Sequence, residues 1–314
     1  MWVMPRLVLG RLAPASLAAS FFLLAAVAAS CAREPIVLRD PDPTAAGALG
    51  EDGPRGVLLV ERRVRVRVDE VVDVDVLLPL SGDGSRMRRR PVVLLLHGGL
   101  VARDRYRWLG EHLASRGFAV IAPGHAFDLA FFEQGNVLDV LATLRAAARR
   151  GGDVLAEAFD DGPVAVIGHS LGGVVAAGAW DASPGTVSHL GLLASYPEHD
   201  RLAVRSSGRA LSIVGSADAR VSEARAGQGV RALETSGVAV AFAVIEGMDH
   251  MQVADRVTAS EAASAGTPSI DAATARARTV LLLDALLEHF ETGASATLDD
   301  PSRWPVGVRE GVRP

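Results

Sequence analysis

The sequence is poor in cysteine: Cys31 is the only one in 314 residues. No internal disulfide can form, so a folded domain must be held by its core. Excess basic charge is also lacking. The formal net charge of −5 at pH 7 leaves no broad cationic surface for a phosphate backbone and argues against a nucleic-acid partner. A convincing membrane span is missing too, because the apolar stretch from Leu12 to Ala29 is at the short edge of the roughly 20 residues that cross a bilayer. No internal repeat is visible, which sets repeat arrays aside. What the chain does have is apolar material: 49% of it is hydrophobic and 22% charged, enough for one large core and too much for a chain disordered throughout.

Residues 1–31 have the layout of an export signal. Arg6 and Arg11 give a positive start, Leu12 to Ala29 is apolar, and small residues close the segment. Cys31 directly follows Val27-Ala28-Ala29-Ser30, which resembles the cleavage box of bacterial lipoproteins. That likeness implies a lipidated Cys31 and membrane attachment. Ala28 stands where such boxes usually carry Leu, Val or Ile, so simple cleavage beside an incidental cysteine is the alternative. Either way the expected location is the cell envelope, the periplasm or the medium. Residues 32–55 are rich in Pro, Gly, Asp and Ala without apolar periodicity and read as a flexible linker. A domain over 56–292 follows. Residues 293–314 offer little apolar content beyond Trp304 and read as a loose C-terminal tail.

From Arg63 to Val76 the chain alternates, valines on one face and arginines or aspartates on the other. This predicts an antiparallel hairpin with charge pairs across its wet face. After Pro91 the pattern changes to short, almost wholly apolar runs at Val92–Leu96, Phe118–Ala122, Val164–Ile167, Leu190–Ala194, Leu211–Val214 and Val240–Ile245. Such runs suit parallel strands covered on both faces. Between them lie helical patterns, one starting at Asn136 as N-cap and a closing one over about Asp271 to Phe290. The expected fold is α/β: a mostly parallel sheet of about eight strands, an antiparallel start, and helices on both faces.

The chemistry centres on Gly168-His169-Ser170-Leu171-Gly172-Gly173, placed after an apolar strand and before a helical run. In that setting Gly-x-Ser-x-Gly is a nucleophile elbow, in which a sharp turn exposes the serine hydroxyl and the following N–H can bind an oxyanion. A serine needs a base, and the base needs an orienting acid. His250 follows the last apolar run and is the base of choice over His169, His189, His199 and His289. Asp218 is the first choice of acid, with Asp200 and Asp249 as alternatives. Leu171 N–H supplies one oxyanion donor. The loop His97-Gly98-Gly99-Leu100 supplies the other, from Gly99 in preference to Leu100, with His97 fixing the loop.

Over about Val57 to Phe290 these residues resemble the α/β-hydrolase superfamily. Closer likeness to a bacterial serine esterase or lipase group rests on four stretches: His97-Gly98-Gly99, the elbow, Leu193-Ala194-Ser195-Tyr196-Pro197, and Ile245-Glu246-Gly247 through His250. In the last stretch Met248, Asp249 and Met251 depart from the usual pattern. The resemblance implies a Ser–Asp–His triad of Ser170, Asp218 and His250, no metal and no organic cofactor. It names no substrate. Only residues 197–208 are available for a cap after the sixth strand, so no large cap domain is expected. Phe127, Leu129, Phe131 and Phe132 are candidates for an apolar lid or for core. The expected activity is hydrolysis of a carboxylic ester, small or lipid-like. A lipase or polyester hydrolase is the near alternative, and a surface-displayed binding protein without turnover is the alternative of another class.

Overall fold

A computed structural model of the chain describes residues 35–41, 50–68, 70–124, 134–198, 202 and 208–314. They belong to the second of two units, Glu34–Pro314; the first, Met1–Arg33, lies outside the described residues. The export segment, Cys31, Asp200 and the candidate lid phenylalanines are likewise outside them.

Alternation builds the antiparallel start. Strands β1 (Ile36–Arg39), β2 (Gly56–Arg65) and β3 (Val71–Leu80) pair in sequence. Arg63 faces Asp73 across β2 and β3 at 3.1 Å, an exposed pair of the kind that contributes about 0–1 kcal/mol. The apolar runs then form β4 (Val92–Leu96), β5 (Ala119–Pro123), β6 (Val164–His169), β7 (Val187–Leu193), β8 (Arg209–Gly215) and β9 (Ala239–Ile245). A last strand, β10 (Val308–Glu310), pairs antiparallel with β9. The sheet order is β1-β2-β3-β5-β4-β6-β7-β8-β9-β10, parallel from β5 through β9.

Both faces of this sheet are covered because neighbouring residues of one strand serve opposite layers. Val93 and Leu95 join Leu109 and Leu113 of α1 (Arg107–Ser115) in one core. Val92, Leu94 and Leu96 join Val137 and Leu141 of α2 (Gln134–Arg150) and Trp180 of α3 (Leu171–Ala182) in the other. Helices α4 (Glu223–Thr235), α5 (Ala259–Ala265), α6 (Ala272–Thr292) and α7 (Ala296–Asp299) complete the described elements. The fold is the expected α/β-hydrolase one, with β2 to β9 as its eight strands and two further strands at the edges.

Three expectations need correction. Asn136 lies inside α2 rather than capping it; it is buried, and its side-chain amide donates to the Glu70 carboxylate instead of closing its own helix. The segment 32–55 is not all linker. Ile36–Arg39 pairs with β2, Gly50 N–H donates to Asp284 at 2.7 Å and Gly53 N–H to Ser115 Oγ at 2.9 Å. The tail 293–314 is ordered as well: Ser295 caps α7, Trp304 is buried and donates to the Thr297 carbonyl, and Glu246 N–H donates to Gly307 O beside β10. Asn136 and Glu70, Gly50 and Asp284, Gly53 and Ser115, and Glu246 and Gly307 are all far apart along the chain, where local composition carries no signal of the pairing.

Candidate active site

The parallel strands deliver four loops to their carboxyl ends, where open α/β sheets bind ligands. Strand β6 ends at His169 and α3 starts at Leu171, so Ser170 makes the whole turn. Its backbone sits at φ 52°, ψ −121°, a region L-residues avoid at a cost of about 1–3 kcal/mol. The surroundings enforce it. Ser170 N–H donates to Leu193 O at 2.9 Å, and Ser195 Oγ–H donates to Ser170 O at 2.6 Å. Glycine is required on either side because a Cβ at Gly168 would strike the Gly172 carbonyl, and one at Gly172 the carbonyls of Leu96 and His97.

Strands β8 and β9 carry the partners. The Asp218 side chain is wholly inaccessible, and that of His250 nearly so. His250 Nδ1 lies 2.9 Å from Asp218 Oδ2 and His250 Nε2 3.0 Å from Ser170 Oγ. With Nδ1–H donating to the carboxyl group, Nε2 presents its lone pair and the serine hydroxyl donates to it. The other carboxyl oxygen, Oδ1, accepts from the N–H groups of Arg220 and Val221, each at 2.8 Å. Asp218 therefore cannot rotate away from the ring. Asp249, the adjacent alternative acid, is turned to its own loop: its Oδ1 accepts from Met251 N–H and Gln252 N–H.

Donors for an oxyanion face the same place. Gly99, Leu100, Ser170, Leu171 and His250 all line one cavity of about 340 Å³. Among the described residues the N–H groups of Gly99, Leu100 and Leu171 have no acceptor. Gly98 N–H, in contrast, is taken by Tyr106 Oη at 3.1 Å. His97 Nδ1 lies 2.9 Å from the Gly98 carbonyl, within the loop it was expected to fix.

His169 points away from the serine hydroxyl and holds the base from behind. Burial, and the neighbouring His250, push its pKa well below the usual imidazole value, so the ring is neutral. Its Nε2–H donates to the His250 carbonyl at 2.9 Å, and Nδ1 accepts from Tyr106 O–H at 2.7 Å. Gly98, Tyr106, His169 and His250 are thus linked in one hydrogen-bonded chain.

Residues 92–256 match the family model described as Alpha/beta hydrolase family. The chain belongs to this family. No curated protein matches it. Among solved structures the chain is similar to the ferulic acid esterase from Streptomyces cinnamoneus, at 20% identity and a TM-score of 0.61, over 84% of this chain and 99% of that one. Likeness at that identity is one of fold.

Sequence reasoning missed several parts of this site. Tyr106 and Ser195 act on the backbone of other site residues. Arg220 lines the cavity two positions beyond Asp218. The C-terminal end of α5 joins two loops, since Ala265 O accepts both Ala219 N–H at 3.0 Å and His250 N–H at 3.2 Å. Only Ser195 stood in a stretch that the sequence had marked. A larger cavity of about 530 Å³, lined by Arg55, Arg116, Asp284 and Glu291, lies near the start of β5 and away from all of this chemistry.

Proposed function

We propose that the protein is a serine hydrolase of carboxylic esters. The observation that carries this is the unbroken hydrogen-bond chain from Ser170 through His250 to Asp218, set at a strained elbow that opens into a cavity. Ser170 Oγ attacks the ester carbonyl while His250 Nε2 takes its proton. Asp218 holds Nδ1–H, fixes the tautomer and stabilises the imidazolium that forms. The N–H groups of Leu171 and Gly99 bind the developing oxyanion; loss of one such donor typically costs about 2.7–4 kcal/mol of transition-state stabilisation. His250 then returns its proton to the leaving alcohol, and water, activated by the same base, releases the acyl group. The ferulic acid esterase fold neighbour, an ester-cleaving protein by its name, supports esters over other acyl substrates.

The sequence of residues 1–31 supports export, and Cys31 after Val27-Ala28-Ala29-Ser30 supports lipid attachment in the cell envelope. The test of the activity is labelling of the mature protein by a fluorophosphonate probe. Wild type should label, and Ser170→Ala and His250→Ala should not. A folded wild type that takes up no probe would count against catalysis and favour a binding protein without turnover.

A further inference from the structure

The cavity at Ser170 carries a fixed positive charge that the proposed mechanism does not use. Its lining is mostly small or apolar, with Leu171, Val174, Ala194 and Val221 beside the serine, and among the described residues no carboxylate is part of it. Among the described residues Arg220 is the one fixed cation there. The guanidinium is anchored: Nε donates to the Ser264 carbonyl at 3.3 Å, and Nη2 contacts Ser264 Oγ. Ser264 is itself tied to the turn of α5 beneath it, its hydroxyl donating to the Glu261 carbonyl at 3.0 Å.

Neighbouring acids are committed elsewhere. Asp218 accepts from His250 and from two backbone N–H groups. Glu261 is held by both terminal nitrogens of Arg105, at 2.7 and 3.0 Å. Among the described residues no carboxylate pairs with Arg220, and its Nη1 makes no hydrogen bond. Arg220 lines the same cavity as Ser170 and His250. Tyr196 also lines the cavity, its ring covered by the Arg225 guanidinium at 4.1 Å from the centroid.

We propose that Arg220 is a specificity-determining residue, and that the preferred substrates are esters bearing a carboxylate within reach of its free guanidinium edge. This rests on the ester-hydrolase reading above and narrows its substrate class. An anchored guanidinium loses little freedom on pairing and offers parallel N–H groups to a carboxylate. A carboxylate-bearing ester would gain that contact while its carbonyl sits at Ser170. A neutral ester of the same shape would leave the cation to solvent.

The test compares the para-nitrophenyl half-ester of glutaric acid with its uncharged methyl ester on wild type, Arg220→Met and Arg220→Lys. The acetate ester of a hydroxybenzoic acid, against the acetate of its methyl ester, places the charge on the alcohol side instead. The backbone N–H that holds Asp218 survives both substitutions, and the Lys variant keeps the charge if Met disturbs the loop. Wild type should favour the anionic member of at least one pair in kcat/KM. In Arg220→Met that preference should fall about tenfold, as expected for loss of one charge-assisted hydrogen bond, while Arg220→Lys retains part of it. High salt should shrink the preference in wild type. Equal turnover of charged and neutral esters by wild type, or a preference unchanged in Arg220→Met, would overturn the assignment. Failure of the underlying reading looks different: no ester is turned over and no serine takes up the fluorophosphonate.

Discussion

Stability should fall as pH rises through a window set by His112, which lies buried at the junction of α1, α6 and the segment before β2. Its Nδ1 and Nε2 are each 2.9 Å from a carboxylate oxygen, of Asp52 and Asp284 respectively. Burial alone would depress the imidazole pKa, but the hydrogen bonds and charges of Asp284 and Asp52 outweigh it and hold His112 at about 9, against an ordinary 6.5. Asp52, bonded to His112 and to Arg39, is lowered to about 2. The folded protein keeps the His112 proton where the unfolded chain gives it up. The contribution is therefore complete below pH 6.5 and is lost as pH rises through about 9. At about 1.4 kcal/mol per pH unit, the whole effect is about 3 kcal/mol. His112→Gln cannot hold the proton, and it leaves the buried Asp284 with only the more distant Arg116, at 3.8 Å, as a cation, so it should be about 3 kcal/mol less stable than wild type in mild acid. Guanidinium unfolding followed by tryptophan fluorescence, run at several pH values from about 6 to 10, measures both. The gap between wild type and variant should narrow by about 3 kcal/mol across that range. Parallel curves for the two proteins would refute a charged cluster at this junction.

Two further outcomes follow from the same kind of reasoning. Tyr106→Phe should leave the buried Gly98 N–H and His169 Nδ1 without partners, at about 1–3 kcal/mol each. Thermal unfolding should then shift down by at least about 4 °C, and a melting curve superimposable on that of wild type would show that the chain of bonds behind His250 contributes little. Mass spectrometry of the mature protein from an envelope fraction should find an acylated N-terminal Cys31, whereas a soluble product without lipid would remove the proposed anchor.

The fold was legible where residues spoke for themselves. Six largely apolar runs gave six parallel strands, because a strand buried on both faces has no wet side to encode. The alternation from Arg63 to Val76 gave the hairpin for the opposite reason. Ser170, Asp218 and His250 could be selected because each follows an apolar strand, and strand ends share one edge of the sheet. The edge strands were hidden. Val308–Glu310 is short and mostly exposed, and only its pairing with Ala243, Val244 and Ile245 makes it a strand. Asp52 reads as one more polar residue in a Pro/Gly-rich stretch, since its partner His112 is 60 positions away. Arg220 was overlooked because arginine is abundant here; the chain contains no lysine, and a cation's role depends on which carboxylates are already engaged.

Engagement of carboxylates by arginine also keeps the site in register. Its reacting groups stand on separate strand ends, and nothing in a parallel sheet fixes one loop against the next beyond the strands themselves. Here two short elements do so. The turn Arg103–Tyr106 reaches the elbow through Tyr106 and His169, and reaches α5 through the paired contacts of Arg105 with Glu261. Helix α5 in turn grips the acid loop and the histidine loop with the single carbonyl of Ala265. Lysine, a single point charge on a flexible stem, could not reproduce the two-pronged Arg105 contact. Triad geometry therefore depends on residues remote from Ser170 in sequence, and substitutions in the Arg105–Glu261 pair should disturb catalysis through His250 and Asp218 without touching either.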